Sequence, residues 1–220
     1  RLWRHKESGL SWLAQAPLIQ LENGYKRAPY PLSWSEQETL FAELVDPDPY
    51  LYLVNTGTRT AECMGLRWSW EQRLPELGTF VFVVPGDLVK NTEPRLIVHN
   101  STAREIVDRQ RGRHPEFVFS YRGKQRKSLS GNGFQRARER AKLDQVRVHD
   151  LKHTYGRRLR AAGVSREDRR DLLGHKSQSI TTHYSTAEIG NLIAASEKVV
   201  RQRTSTAPAT LLRCIDGGRK

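Results

Sequence analysis

Residues 149 to 184 read HDLKHTYGRRLRAAGVSREDRRDLLGHKSQSITTHY, and this stretch governs how the rest of the chain is read. Leu151, Tyr155, Leu159 and Ala162 fall at i, i+4, i+8 and i+11, the stripe of a helix that buries one face. The helix is expected to start near Asp150 and to end at Gly163. Ser165-Arg-Glu-Asp168 has the capping pattern of a second helix, which runs into Leu172-Leu-Gly-His175. Tyr184 follows nine residues later, after the polar segment Ser179-Ile-Thr-Thr-His183. On the first helix His149, Lys152 and Gly156 share a face, so two ionisable groups stand beside a gap for close backbone approach.

The surrounding chain is strongly basic. Its 220 residues carry a formal net charge of +13, with a pI of about 10.1. A polyanion is therefore the first partner to consider. An anionic membrane would also attract such a surface, but no apolar run of about 18 residues, signal-peptide core or isolated polybasic tail accompanies the charge. Hydrophobic residues make up 37%, enough for a folded core rather than a disordered chain. The two cysteines, Cys63 and Cys214, lie far apart. They suit a reducing compartment, with neither a disulfide framework nor a Cys-rich zinc site.

Three regions are expected. Residues 1–30, with Arg1, Arg4, Lys6, Pro17, Gly24 and Pro29-Tyr-Pro31, read as an incoming linker. The absence of an initiating methionine suggests a piece whose N-terminal part is missing. Residues 31–203 read as one domain and residues 204–220 as a loose tail. Within the domain, Ser35-Glu-Gln-Glu38 is a capping-box pattern ahead of Leu40, Phe41 and Leu44. Helices are also expected over Tyr50–Val54, stopped near Gly57, and over 59–65, 103–111, 133–143 and 189–200. Thr79-Phe-Val-Phe-Val-Val84 is β-branched and aromatic, hence a strand. Leu88–Lys90 and Arg95–Val98 are expected strands, and Phe117–Ser120 is a short extended piece. The fold class is α+β, mostly helical, with a small antiparallel sheet near residues 79–98.

Four motifs carry chemistry. Asn55-Thr-Gly-Thr-Arg59-Thr-Ala-Glu62-Cys-Met-Gly-Leu66-Arg-Trp68 puts a guanidinium one helical turn from a carboxylate. Val89-Lys90-Asn-Thr-Glu-Pro-Arg95 places a lysine between strand candidates. His149-Asp-Leu-Lys152-His153-Thr and Leu172-Leu-Gly-His175 complete the set, with Tyr184 beyond. Together they resemble the catalytic segment of tyrosine recombinases, the phage-integrase family of DNA strand-transfer enzymes, over roughly residues 33–200. The strongest motifs lie at 55–68 and 149–184.

The resemblance implies a role for each position. Tyr184 is the nucleophile that forms a 3′-phosphotyrosyl link. Arg59 is the first catalytic arginine, and Glu62 supports it. Lys90 protonates the leaving 5′ oxygen, and His149 assists proton transfer from the tyrosine. His153 supports the site, and His175 donates a hydrogen bond to the phosphate. Lys152 stands where the family usually has its second arginine; it keeps the charge and loses the planar fork. Arg157 and Arg158 lie about 140° and 240° further round the helix, so neither faces the same way. A phenol with a pKa of ~10 needs cations and a base around it, and a phosphodiester under attack gathers charge that guanidinium groups match.

The basic helix bearing Arg136, Arg138, Arg140 and Lys142 is expected to face a DNA backbone. The implied partner is double-stranded attachment-site DNA, bound by a homotetramer, while the isolated piece is compatible with a monomer. No metal or nucleotide cofactor is implied, because the covalent link conserves the phosphodiester. The implied location is the cytoplasm, at the bacterial nucleoid. Three alternatives remain. A DNA-binding regulator without catalysis would account for Lys152. A type IB topoisomerase shares the tyrosine chemistry. A metal hydrolase could use His149 and His153 at i, i+4, although Asp150 replaces the usual glutamate and no compact third-ligand motif appears.

Overall fold

The computed structural model describes Ser8 and residues 27–88, 94–175 and 185–201. Most of the expected linker and the whole of the expected 204–220 tail lie outside these residues. Helix α1 (Trp34–Ala42) starts at Ser33, whose hydroxyl accepts the Glu36 N–H at 3.2 Å while the Glu36 carboxylate accepts the Ser33 N–H at 2.8 Å. This capping box lies two residues before the expected one at Ser35. A glutamate stands three residues beyond either serine; Ser33 has the extended backbone of a cap, and Ser35 is already helical.

Helix α2 (Asp48–Thr56) ends at Gly57 in the left-handed region, φ 62°. A side chain there would be strained, and its Cβ would fall 2.5 Å from Tyr155 Cδ1. The chain then turns directly into α3 (Thr60–Met64), with Arg59 at its N-cap and Gly65 at its end, as the sequence predicts.

Strands β1 (Glu71–Leu74), β2 (Thr79–Val84) and β3 (Arg95–Ile97) form an antiparallel sheet in the order β1-β2-β3. Glu71 lies opposite Phe82, and Phe82 opposite Ile97. The sheet thus begins eight residues before the expected Thr79. Glu71-Gln-Arg-Leu74 has little intrinsic strand preference and is extended because β2 supplies its partner. Leu88, expected in a strand, closes the 3-10 turn Gly86–Leu88. Val89 and Lys90, the rest of that expected strand, lie outside the described residues.

The remaining elements are α4 (Ser101–Gln110), the short hairpin of β4 (Ser120–Tyr121) and β5 (Lys124–Gln125), α5 (Asn132–Arg140), α6 (Val148–Ala161), α7 (Arg166–Leu172) and α8 (Thr186–Glu197). The helices come in the predicted order, but the β4–β5 hairpin is unexpected, α8 begins three residues before the expected 189, and α5 stops at Arg140, short of the expected 143. Gly163 and Ser165 end α6 and cap α7 as expected. Among the described residues no helix is long and apolar enough to cross a membrane.

Two apolar clusters make the core, and α6 runs through both. Leu151 belongs to the larger one, with Leu40, Leu53, Leu66, Ile106 and Phe119. Tyr155 and Leu159 belong to the second, with Val81, Val98, Leu172, Ile189 and Leu192. The predicted stripe on α6 is therefore the seam of the molecule; Ala162, its last member, is only partly buried. The far end of α8 is fixed by polar contacts. The Tyr155 and Ser196 hydroxyls meet at 2.8 Å, Asn100 Nδ2 donates to the Ser196 carbonyl at 3.4 Å, and Glu197 accepts the Ser101 N–H at 2.8 Å.

Candidate active site

Arg59 enters the site from the turn between α2 and α3. Its guanidinium Nη1 donates to Glu62 Oε1 at 2.7 Å, and its backbone N–H donates to Glu62 Oε2 at 2.8 Å. A quarter of the Arg59 side chain stays exposed, while Glu62 is buried. Glu62 Oε2 also accepts from Arg95 Nη1. Burial alone would raise the Glu62 carboxyl, but Arg95 and Arg59 outweigh it and hold it below its ordinary value. Glu62 is thus an ionised carboxylate shared by two guanidinium groups.

Lys152 projects from α6 toward the same place and is buried. Its ammonium donates to the Gly57 carbonyl at 2.7 Å and to the Leu173 carbonyl. Burial, together with the like charges of Arg95 and Arg59, lowers its pKa to about 7. The sequence predicts a close backbone approach at Gly156, one turn further on, but a side chain fills the gap instead. A Cβ there would lie 3.1 Å from Leu173 Cδ1, so the gap admits the Leu173 side chain.

His149 and His153 meet edge to face on the first turns of α6, with ring centroids 4.8 Å apart. His175 follows α7 and Gly174, the latter at φ 60°, and its N–H bonds the Arg170 carbonyl at 3.0 Å. Burial lowers the pKa of all three imidazoles, and Lys152 lowers each further. Arg59 lowers His149 and His175 as well. The three rings are therefore neutral near pH 7, so each has one nitrogen able to accept a proton and another able to donate.

The structure therefore brings together Arg59, Glu62, His149, Lys152, His153 and His175. The expected Lys90 and Tyr184 lie outside the described residues. Ser185, the next residue after Tyr184, is the N-cap of α8. Among the described residues no group of three or more His, Cys, Asp or Glu side chains is placed to hold a metal ion.

One residue here escaped the sequence reading. Arg95, at the start of β3, is buried against Glu62, with Nη2 reaching the carbonyls of Gly57 at 3.2 Å and Leu172 at 3.3 Å. Pro94-Arg95 stands beside Lys90 in the sequence, but the geometry of one helix face carries no information about a guanidinium on β3. Arg158 is accounted for elsewhere, stacked 3.4 Å over the Trp34 ring and bonded to Gln37.

The four basic residues near α5 divide. Arg136, Arg140 and Lys142 are exposed, and of these Arg140 alone is ion-paired among the described residues. Arg138 Nη1 donates to the Val146 carbonyl at 3.0 Å, and Arg140 bonds the Glu43 carboxylate and carbonyl.

An α+β domain of this order is the fold of tyrosine recombinase catalytic domains. The integrase of transposon Tn1549, solved with transposon right-end DNA, aligns over 89% of this chain and 67% of its own, at 16% identity and a TM-score of 0.55. The XerH recombinase bound to palindromic difH substrate aligns over 78% and 54%, at 16% identity and a TM-score of 0.54. The integrase from mycobacterium phage Brujita aligns over 83% and 62%, at 20% identity and a TM-score of 0.54. The sequence model of the phage integrase family matches residues 46–189, and the chain belongs to that family. A curated relative, the integrase of Salmonella phage P22, is 23% identical over 198 residues, covering 83% of this chain. The chain spans half the length of that relative.

Proposed function

We propose that the chain carries the catalytic domain, residues 31–203, of a site-specific DNA recombinase. It cleaves and rejoins double-stranded attachment sites through a 3′-phosphotyrosine at Tyr184. The observation that carries this is the convergence of His149 and His175, drawn from separate stretches of chain, on Lys152 and on Arg59, which an ionised Glu62 holds. A site with a buried ammonium and the part-exposed Arg59 guanidinium, flanked by the solvent-facing His149 and His175, fits a phosphodiester gathering negative charge.

In this reaction the Tyr184 phenol oxygen forms a bond to phosphorus while the bond to the 5′ oxygen breaks. His149 takes the phenol proton, and Lys90 gives a proton to the leaving 5′ oxygen. Arg59, Lys152 and His175 face the non-bridging oxygens. Attack by a 5′ hydroxyl from a partner duplex reverses the step and restores the phosphodiester, so neither metal nor nucleotide is consumed. Residues 1–30 lead in from a further DNA-binding domain. The working assembly is a homotetramer on two DNA sites, at the nucleoid.

The test is a nicked duplex that traps the covalent step. Nicked duplexes tiling both junctions of the DNA element that encodes the protein are incubated with it in EDTA. The expected result is a denaturation-resistant protein–DNA adduct that Tyr184→Phe abolishes. Lys152 at the arginine position favours one second reading, a DNA-binding regulator. Site-specific binding by the intact protein without adduct on any tile would establish that instead. Supercoil relaxation without strand exchange would point to a topoisomerase.

A further inference from the structure

We propose that Arg95 is a positioning residue of this site, the second cation of a clamp that locks the Arg59 turn against the His175 turn; this rests on the recombinase reading above. Helices α2 and α7 both end at the site, so their carbonyl termini bring partial negative charge together there. Two cations occupy the space between. The Gly57 carbonyl, at the end of α2, accepts from both Arg95 Nη2 at 3.2 Å and Lys152 Nζ at 2.7 Å. Each cation then reaches one carbonyl at the end of α7, Arg95 to Leu172 at 3.3 Å and Lys152 to Leu173. Arg95 adds a third tie that Lys152 lacks, its ion pair with Glu62, the carboxylate that holds Arg59.

The fit leaves little slack. A Cβ on Gly174 would fall 2.6 Å from Arg95 Nε and 2.7 Å from Cζ, so the residue before His175 is bare where the guanidinium lies. Arg95 Nε finds no acceptor among the described residues. With both Nη atoms engaged and the side chain 3% exposed, Arg95 does not reach outward to a phosphate. Its effect passes through Arg59 and His175. A planar fork is needed because one group must serve a carboxylate and two carbonyls at once, which an ammonium on a flexible stem does less well.

Two variants probe the clamp. Arg95→Lys keeps the charge without the fork, and Arg95→Met removes both. In DNA-free protein, amide exchange at Gly57, Gly174 and His175 should rise roughly tenfold or more in Arg95→Lys while the thermal midpoint shows a folded chain. On the trapping duplex, the adduct rate at saturating DNA should fall about tenfold to a hundredfold, with binding unchanged, and more in Arg95→Met than in Arg95→Lys.

The pH profile separates positioning from bulk stability. Lys152 faces Arg95, Arg59 and Glu62 from other elements, His149 and His153 on its own helix, and His175 beyond α7. Removing the Arg95 charge should move the alkaline limb of the adduct rate upward. If Arg95→Met does not fold, the conservative Arg95→Lys carries the exchange and rate comparison. Unchanged exchange in folded Arg95→Lys overturns the clamp, even where the wild type forms adduct. No adduct from the wild type sinks the recombinase reading, and the exchange result then decides the clamp alone.

Discussion

Lys152 is a buried amine held by two main-chain carbonyls and repelled by two guanidinium groups, and its pKa of about 7 follows from that setting. It is charged below pH 7 and progressively neutral above. In single-turnover trapping at limiting protein, the rate should rise with pH as His149 loses its proton, then fall as pH passes about 7 and Lys152 loses its own. Arginine at this position cannot deprotonate in that range. Lys152→Arg should therefore remove the alkaline limb, and Lys152→Ala should lower the rate at every pH by roughly tenfold or more. Full activity in the alanine variant would end the proposed role of Lys152.

Among the elements, the sheet and α2 are tied together by a histidine that works only when neutral. His99, just beyond β3, is fully buried against Phe80 and Phe82 and pairs with the Tyr52 hydroxyl at 2.9 Å. Burial lowers its pKa to about 4. Between pH 6.5 and 4 the unfolded chain therefore binds a proton that the folded chain refuses. Stability is intact above 6.5 and falls with pH through that window, by ~3 kcal/mol from this residue. Urea unfolding at pH 7 and pH 4.5 should show a smaller loss in His99→Gln than in the wild type; an equal loss would assign the acid sensitivity elsewhere.

The helix ends at Gly57, Gly163 and Ser165 were legible because those residues are local signals that need no tertiary context. β1 was not, since Glu71-Gln-Arg-Leu74 is extended only through its partner. Arg59, Glu62, His149, Lys152, His153 and His175, singled out through the family resemblance, stand near one another. Arg95 could not be found that way, because its importance comes from lying beside Glu62, thirty-three residues away in sequence.

At the scale of the whole molecule, the charge of +13 is not uniformly available to a ligand. Arg109, Arg111 and Arg126 pair with Asp48, Glu71 and Asp46, while Arg138 and Arg140 brace α5 against its neighbours. Binding to duplex DNA should weaken steeply with salt. Arg136→Ala and Lys142→Ala should each reduce the slope of log affinity against log salt by roughly one. Arg138→Ala and Arg140→Ala should instead lower the thermal midpoint and leave the slope nearly unchanged. Equal slope changes in all four would place the whole helix on the DNA.

The meeting of α2 and α7 also sets the terms on which this chain can drift. The acceptors at Gly57, Leu172 and Leu173 are peptide carbonyls, present whatever side chains those positions carry. No substitution removes the need for donors there, and among the described residues Arg95 and Lys152 supply them. A library randomised at 152 and sorted for folding alone, without DNA, should return hydrogen-bond donors and reject apolar residues of equal size. Lysine is then one permitted solution to a requirement written in the backbone.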